Sequence, residues 1–110
     1  MQDGLRGQNR RVQIDAASGA GNTTLVAGVV GKRIAVIHYL VSVDSGSAVN
    51  VTFLSNSTEI AGPLYFPANS AGECDHDEDG LFITEAGEAL ALARSGATAV
   101  GGYIRYKLID

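Results

Sequence analysis

The segment Glu73–Gly80 (ECDHDEDG) holds the residues of this 110-residue chain that are best suited to chemistry. Asp75, Asp77 and Asp79 precede a glycine in the D-x-D-x-D-G order that opens an EF-hand calcium loop. The match ends there, because the twelfth position, which needs a bidentate glutamate, is Ala86. The segment therefore predicts either a calcium site of another type or an exposed acidic loop that docks on a basic partner. We expect no resident cofactor, with calcium at these aspartates as the alternative.

Other reactive side chains do not combine into a recognisable site. Cys74 and His76 cannot complete a four-ligand zinc site, because the chain has one cysteine and two histidines. No third group is evident that would orient them as a nucleophilic pair. His38 lies in the middle of an apolar strand, as an interior or interface histidine would. The chain is therefore not predicted to be an enzyme.

Basic residues are concentrated near the start of the chain, at Arg6, Arg10 and Arg11. The net charge is −4 and no aromatic residues are interleaved with these arginines, which favours a protein partner over nucleic acid. Arginine forms bidentate pairs with carboxylates. We therefore predict that the three arginines contact another protein, and the acidic 73–79 segment of a neighbouring copy is one conceivable acceptor.

Composition and turn spacing indicate one small all-β domain. Hydrophobic residues make up 45% and charged residues 18% of the chain, which is too apolar for disorder. Residues 1–11 are predicted to form an N-terminal arm, and 12–110 a single antiparallel β-sandwich of about eight strands, jelly-roll or Greek-key in form. Within it, the segment 62–71 contains both prolines and is predicted to be an irregular loop.

The strand at 32–43 is apolar on both faces if its side chains alternate without interruption. One face can fill the core of a sandwich, but the other then needs a cover, which in so small a chain would be another subunit. This pattern predicts a homo-oligomer with Ile37, Tyr39 and Val41 in the subunit contact.

The chain shows no targeting or membrane signal. Its first eleven residues lack the apolar stretch of a signal peptide, and its longest apolar run is far short of a membrane span. A single cysteine excludes an intrachain disulfide. We expect a protein made in the cytoplasm, not secreted and not bound to membranes.

Six short turn and strand segments follow one another along the chain: DAA at 15–17, NTT at 22–24, GKRI at 31–34, LFIT at 81–84, GEAL at 87–90 and GGYIRY at 101–106. In this order they resemble small all-β proteins from the structural gene clusters of tailed bacteriophages. The resemblance extends over nearly the whole chain after the arm. The acidic segment at 73–80 departs from it.

The resemblance implies a virion component, and the role it favours most is that of a capsid decoration (cement) protein. Such proteins assemble as trimers on the outer surface of the head, between subunits of the major capsid protein. The arm with Arg6, Arg10 and Arg11 would then contact the shell.

Two alternatives remain open. One is a head-fibre, neck, tail or receptor-binding component of the virion. The other is a calcium- or carbohydrate-binding β-sandwich module. Sugar binding is disfavoured because Tyr65 and Phe66 form the only adjacent aromatic pair and the chain has no tryptophan.

Overall fold

The structure is a computed structural model that describes residues 10–16, 21–43, 46–74, 77, 79–96 and 99–110. Arg6 of the predicted arm and Asp75 of the predicted calcium segment lie outside the described residues. Within the described part, no helix is long and apolar enough to cross a membrane.

Nine strands account for most of the described residues. They are β1 (Arg10–Ala16), β2 (Gly21–Val26), β3 (Arg33–Val43), β4 (Val49–Ser55), β5 (Thr58–Phe66), β6 (Ala71–Cys74), β7 (Phe82–Ile83), β8 (Leu90–Arg94) and β9 (Val100–Ile109). Valine, isoleucine and threonine recur in them, as residues that pack well on a pleated surface do. The all-β prediction is confirmed.

The strands form two antiparallel sheets. Sheet 1 has the order β1-β9-β3-β6, with β7 also pairing with β3, and sheet 2 has the order β2-β8-β4-β5. The pairs β1–β9, β2–β8, β3–β6 and β4–β5 are those of one long hairpin rolled over on itself, which is the jelly-roll arrangement. The predicted sandwich is thus confirmed, in its jelly-roll form.

The core lies between the inner faces of the two sheets. Its largest fully buried apolar side chains are Phe53, Ile14, Ile34, Ile37, Leu90, Leu92 and Ile104. The rings of Phe53 and Phe82 approach with centroids 4.8 Å apart, and Tyr39 packs against both. Burying one such large side chain contributes about 1.5–3 kcal/mol. Desolvation by burial raises the pKa of the Tyr39 phenol above its usual value, and the neighbouring Cys74 raises it further.

A β-bulge at Ile37 interrupts the alternation of β3. Val36 pairs with Tyr106 of β9, whereas His38 pairs with Arg105, so Ile37 is an extra residue without a partner in the ladder. Because side chains in a strand alternate with a period of two, one extra residue exchanges the two faces for the rest of the strand.

The bulge corrects the predicted faces of this strand. The core-facing residues are Ile34 and Val36 before the bulge and Tyr39, Val41 and Val43 after it. Ile37 and Val41 have no exposed surface within the single chain. Asp77 and Leu81 lie beside the bulge, and their backbone N–H groups donate to the carbonyls of Ile37 (2.8 Å) and Val36 (2.7 Å). Ile37, Tyr39 and Val41 therefore do not form an uncovered apolar face, which was the ground for placing them in a subunit contact. That contact itself stays a prediction.

The predicted loop at 62–71 is confined to 67–70, since β5 continues through Pro63 to Phe66 and β6 begins at Ala71. β5 is an edge strand, where a residue without an N–H is tolerated. Gly62 has φ +109°, and a Cβ there would lie 2.9 Å from the carbonyl oxygen of Val51. The Gly62–Pro63 peptide bond is cis.

A polar end network closes one end of the sandwich around Ser55 and Thr84, both fully buried. The Ser55 hydroxyl donates to Glu88 Oε1 at 2.6 Å and accepts from the Glu85 N–H at 3.0 Å. Thr84 Oγ1 accepts from the buried N–H of Ile34 at 2.8 Å. These bonds satisfy polar groups that would otherwise be buried without partners.

Candidate interaction surface

The outer face of sheet 1 brings together polar residues from four strands. The strand pairing aligns them in two rows across the sheet, the first being Arg11, Arg105 and His38, and the second Gln13, Tyr103, Leu40 and Glu73. Neighbouring strands lie about 4.8 Å apart, so the second row crosses about 14 Å. The strands that carry these residues are far from one another in the sequence, and only the jelly-roll pairing makes them neighbours.

Four of these side chains form a continuous contact series centred on Tyr103. The Arg11 guanidinium lies 4.4 Å from the centroid of the Tyr103 ring, within cation–π distance. The His38 ring stacks with Tyr103 at a centroid distance of 5.6 Å and an interplanar angle of 16°. His38 Nε2 lies 3.3 Å from the Tyr103 hydroxyl and 3.0 Å from Glu73 Oε2. We call Arg11, Tyr103, His38 and Glu73 the outer-face series.

The bulge at Ile37 is what turns His38 toward this series. Without the extra residue, His38 would continue the face of Ile34 and Val36, which is buried in the core. The His38 side chain is instead 14% exposed and lies between β9 and β6. The same bulge that breaks the predicted uncovered apolar face thus creates a polar surface.

Charge is unevenly distributed across this face. Arg11 and Arg105 face each other on β1 and β9, a pairing of like charges that is destabilising when it stands alone. We call these two arginines the basic half. At the opposite edge lie Glu73, on β6, and Asp77, whose N–H donates to the carbonyl of Ile37. Glu73, Asp77 and Asp79, all exposed, form what we call the acidic margin.

An open depression lies beside the basic half, with a volume of about 590 Å³. Its lining residues are Arg11, Gln13, Leu40, Gly102 and Tyr103. Gly102 has φ +123°, and a Cβ there would collide with the carbonyl oxygen of Leu40, so the floor must be glycine. The depression offers guanidinium and amide donors, an aromatic ring and an apolar floor, a combination that suits binding.

Two of the three predicted calcium ligands lie among the described residues. Asp77 and Asp79 are exposed, and the Asp79 N–H donates to Asp77 Oδ1 at 3.0 Å. The Gly80 N–H donates to the Asp77 carbonyl at 3.0 Å, so Asp77 organises a local turn. No group of three or more metal-ligating side chains occurs among the described residues, while Asp75 lies outside them. Calcium binding stays a prediction.

Residues 10 and 11 of the predicted arm belong to a strand, and residues 1–9 lie outside the described residues. β1 begins at Arg10, two residues before the expected start, because Arg10 and Arg11 pair with Tyr106 and Arg105 of β9. These two arginines are therefore sheet residues rather than arm residues. The proposed shell contact of Arg6, Arg10 and Arg11 stays a prediction.

Sequence reasoning identified Arg11 but missed Tyr103, Glu73 and Arg105 as members of one surface. The alternation of polar and apolar residues in β9 predicts from the sequence alone that Arg105 faces solvent. The pairing of β9 with β1, some ninety residues earlier, could not be predicted from the sequence, because alternation does not indicate which strands are neighbours.

No protein-family model matches this chain, and comparison with curated proteins gives no match either. Among solved structures, a protein of Bacillus endospore appendages, described as a novel family of disulfide-linked pili, is 14% identical, with a TM-score of 0.47, covering 91% of this chain and 81% of that chain. The sugar-binding EclA C-terminal domain is 20% identical, with a TM-score of 0.41 and coverages of 92% and 76%. The Eiger TNF structure from S. frugiperda is 9% identical, with a TM-score of 0.39 and coverages of 94% and 94%. All three TM-scores are below 0.5, so these likenesses carry no argument about function.

Proposed function

We propose that this chain is a non-enzymatic structural protein of a tailed-bacteriophage virion, a decoration protein that binds the outer head surface and stabilises the shell. The sequence resemblance supplies the virion part of this proposal. The jelly-roll fold is compatible with it, since jelly rolls occur in viral capsid domains, although a shared fold is only an analogy. The observation that carries the binding role is the preformed outer-face series of sheet 1.

That surface has the chemistry of a protein contact site. Tyrosine and arginine are enriched among the residues that dominate protein–protein binding energy. The Tyr103 ring is held between the strands of Arg11 and His38, so little conformational freedom remains to be lost on binding. A protein that spans several capsid subunits adds contact area that must be broken before the shell opens, and copies assembled as a trimer would multiply that area.

The test is binding to purified heads that lack a decoration protein. We expect the wild-type protein to cosediment with heads and to raise the temperature at which they release DNA. Tyr103→Ala should weaken binding at least tenfold, because it removes the centre of the outer-face series. Tyr65→Ala is the matched control, since Tyr65 is 74% exposed on β5 of the other sheet. Binding to tails and not to heads would replace this proposal with the tail or receptor-binding alternative.

Carbohydrate binding is a second candidate, favoured by the exposed ring of Tyr65. An exposed aromatic ring can stack on a sugar face, whereas Tyr103 already has side-chain contacts from two neighbouring strands. Under this candidate the effects of the two variants are reversed. Tyr65→Ala would abolish retention on a glycan surface, and Tyr103→Ala would leave it unchanged.

A further inference from the structure

We propose that the outer face of sheet 1 is a self-association surface, on which the basic half of one copy docks on the acidic margin of a second copy. The proposal rests on charge and register alone and does not depend on a virion role. It uses the outer face that the proposed head contact also uses, so a second copy and the capsid would compete for this face.

In the described part of the chain, no ion pair joins Arg11 or Arg105 to a carboxylate. The two guanidinium groups sit on directly paired residues, in a chain whose net charge is −4. Stacking on Tyr103 holds the Arg11 guanidinium in place while leaving its in-plane N–H donors available for a bidentate carboxylate.

The acidic margin presents the complementary groups. The Glu73 side chain is 53% exposed, and among the described residues its one contact is from Oε2 to His38. Asp79 is exposed, and its backbone rather than its carboxylate makes the turn contact with Asp77. Arg11 lies on the edge strand β1 and Arg105 on the adjacent strand β9, whereas Glu73 lies on the opposite edge strand β6, since the strand order is β1-β9-β3-β6.

This separation of charge determines how two copies can meet. With two faces stacked, a twofold axis parallel to the strands places the basic half of each copy over the acidic margin of the other. An axis across the strands would place like charges together. With copies side by side, the β1 edge of one meets the β6 edge of the next, and such head-to-tail contacts can close into a ring. Both arrangements bring Arg11 of one copy to the acidic margin of another, and the mass of the oligomer distinguishes them.

The size of the face predicts a weak, salt-sensitive association. Four strands about 4.8 Å apart and six residues of about 3.3 Å each give roughly 19 by 20 Å. The resulting area of roughly 400 Å² per copy is about half of that in a standard stable interface. Ion pairs between exposed side chains contribute little and are weakened further by salt, so dissociation should occur at moderate ionic strength.

The experiment is sedimentation velocity of the full chain at low and high salt. We expect oligomers at about 20 mM salt and monomers at about 500 mM. Two copies would indicate stacked faces, and three a head-to-tail ring. A monomer at low salt and high protein concentration would overturn the proposal. This measurement uses the wild-type protein alone.

Charge reversal tests the residues themselves. The variants Arg11→Glu/Arg105→Glu and Glu73→Lys/Asp79→Lys should each be monomeric alone and should associate with each other when mixed. Arg11→Lys/Arg105→Lys keeps the charge and should retain association. Glu59→Lys/Asp110→Lys changes the net charge as much as the acidic-margin variant, but away from that margin, and should also associate.

Circular dichroism confirms that each variant is folded before its mass is interpreted. Oligomers that persist unchanged through both charge reversals would contradict the proposal. The absence of mixed oligomers from two folded, oppositely charged variants would also contradict it.

Discussion

The polar end network and the outer-face series use similar residues for different purposes. Ser55 and Thr84 are fully buried, and their hydroxyl groups satisfy backbone and carboxylate partners within the chain. Arg11 and Glu73 are exposed, and each keeps donors or acceptors that no described residue uses. Burial, rather than residue type, decides whether a polar contact stabilises the fold or remains free to bind a partner.

The largest expected effect comes from opening the polar end network. Ser55→Ala should lower the free energy of unfolding by about 1–3 kcal/mol, because the Glu85 N–H and the Glu88 carboxylate lose a buried partner. Urea denaturation measures the change. Ser57→Ala is the matched control at an exposed serine and should stay within about 0.5 kcal/mol of wild type. Equal losses in the two variants would show that burial does not distinguish them.

A smaller loss of stability is expected on the outer face. Tyr103→Ala should lower the free energy of unfolding by about 1 kcal/mol, since it removes one cation–π contact and one ring stack. Tyr103→Phe keeps both ring contacts and loses only the hydroxyl beside His38, so it should cost less. Thermal unfolding of the two variants separates ring from hydroxyl. If Tyr103→Ala matched Ser55→Ala in stability loss, the face would be part of the fold rather than a free surface.

Alkaline titration gives the smallest effect and reports on the core. The folded pKa of Tyr39 is raised above the unfolded value of 10.0, so the unfolded chain ionises first as the pH rises. Stability from this group is fully present below pH 10.0 and is lost as the pH climbs toward the folded pKa. Denaturation measured from pH 9 to 11 should show the decline, and Tyr39→Phe should reduce it. Tyr65→Phe, at an exposed position, should leave the decline intact.

The sequence predicted element type better than it predicted neighbours. Val12 and Ile14 alternate with polar residues, and the corresponding strand exists with its start moved to Arg10. The failure at Ile37 has a local cause: nothing in a run of apolar residues indicates where one of them leaves the ladder. The loop prediction was wrong at 62–66 because a proline forbids a central strand but not an edge strand. Edge position is a property of the whole sheet.

By itself the sequence determined the fold class, since β-branched residues at period two, separated by turn residues, leave few structures other than an antiparallel sandwich. It also determined the uneven placement of charge along the chain. Only the tertiary structure decided that Arg11 and Arg105 face each other, that Tyr103 lies between Arg11 and His38, and that Glu73 closes the series. The physical reason is that a strand's own pattern fixes which side chains share a face, whereas the rolled hairpin fixes which strands share a sheet.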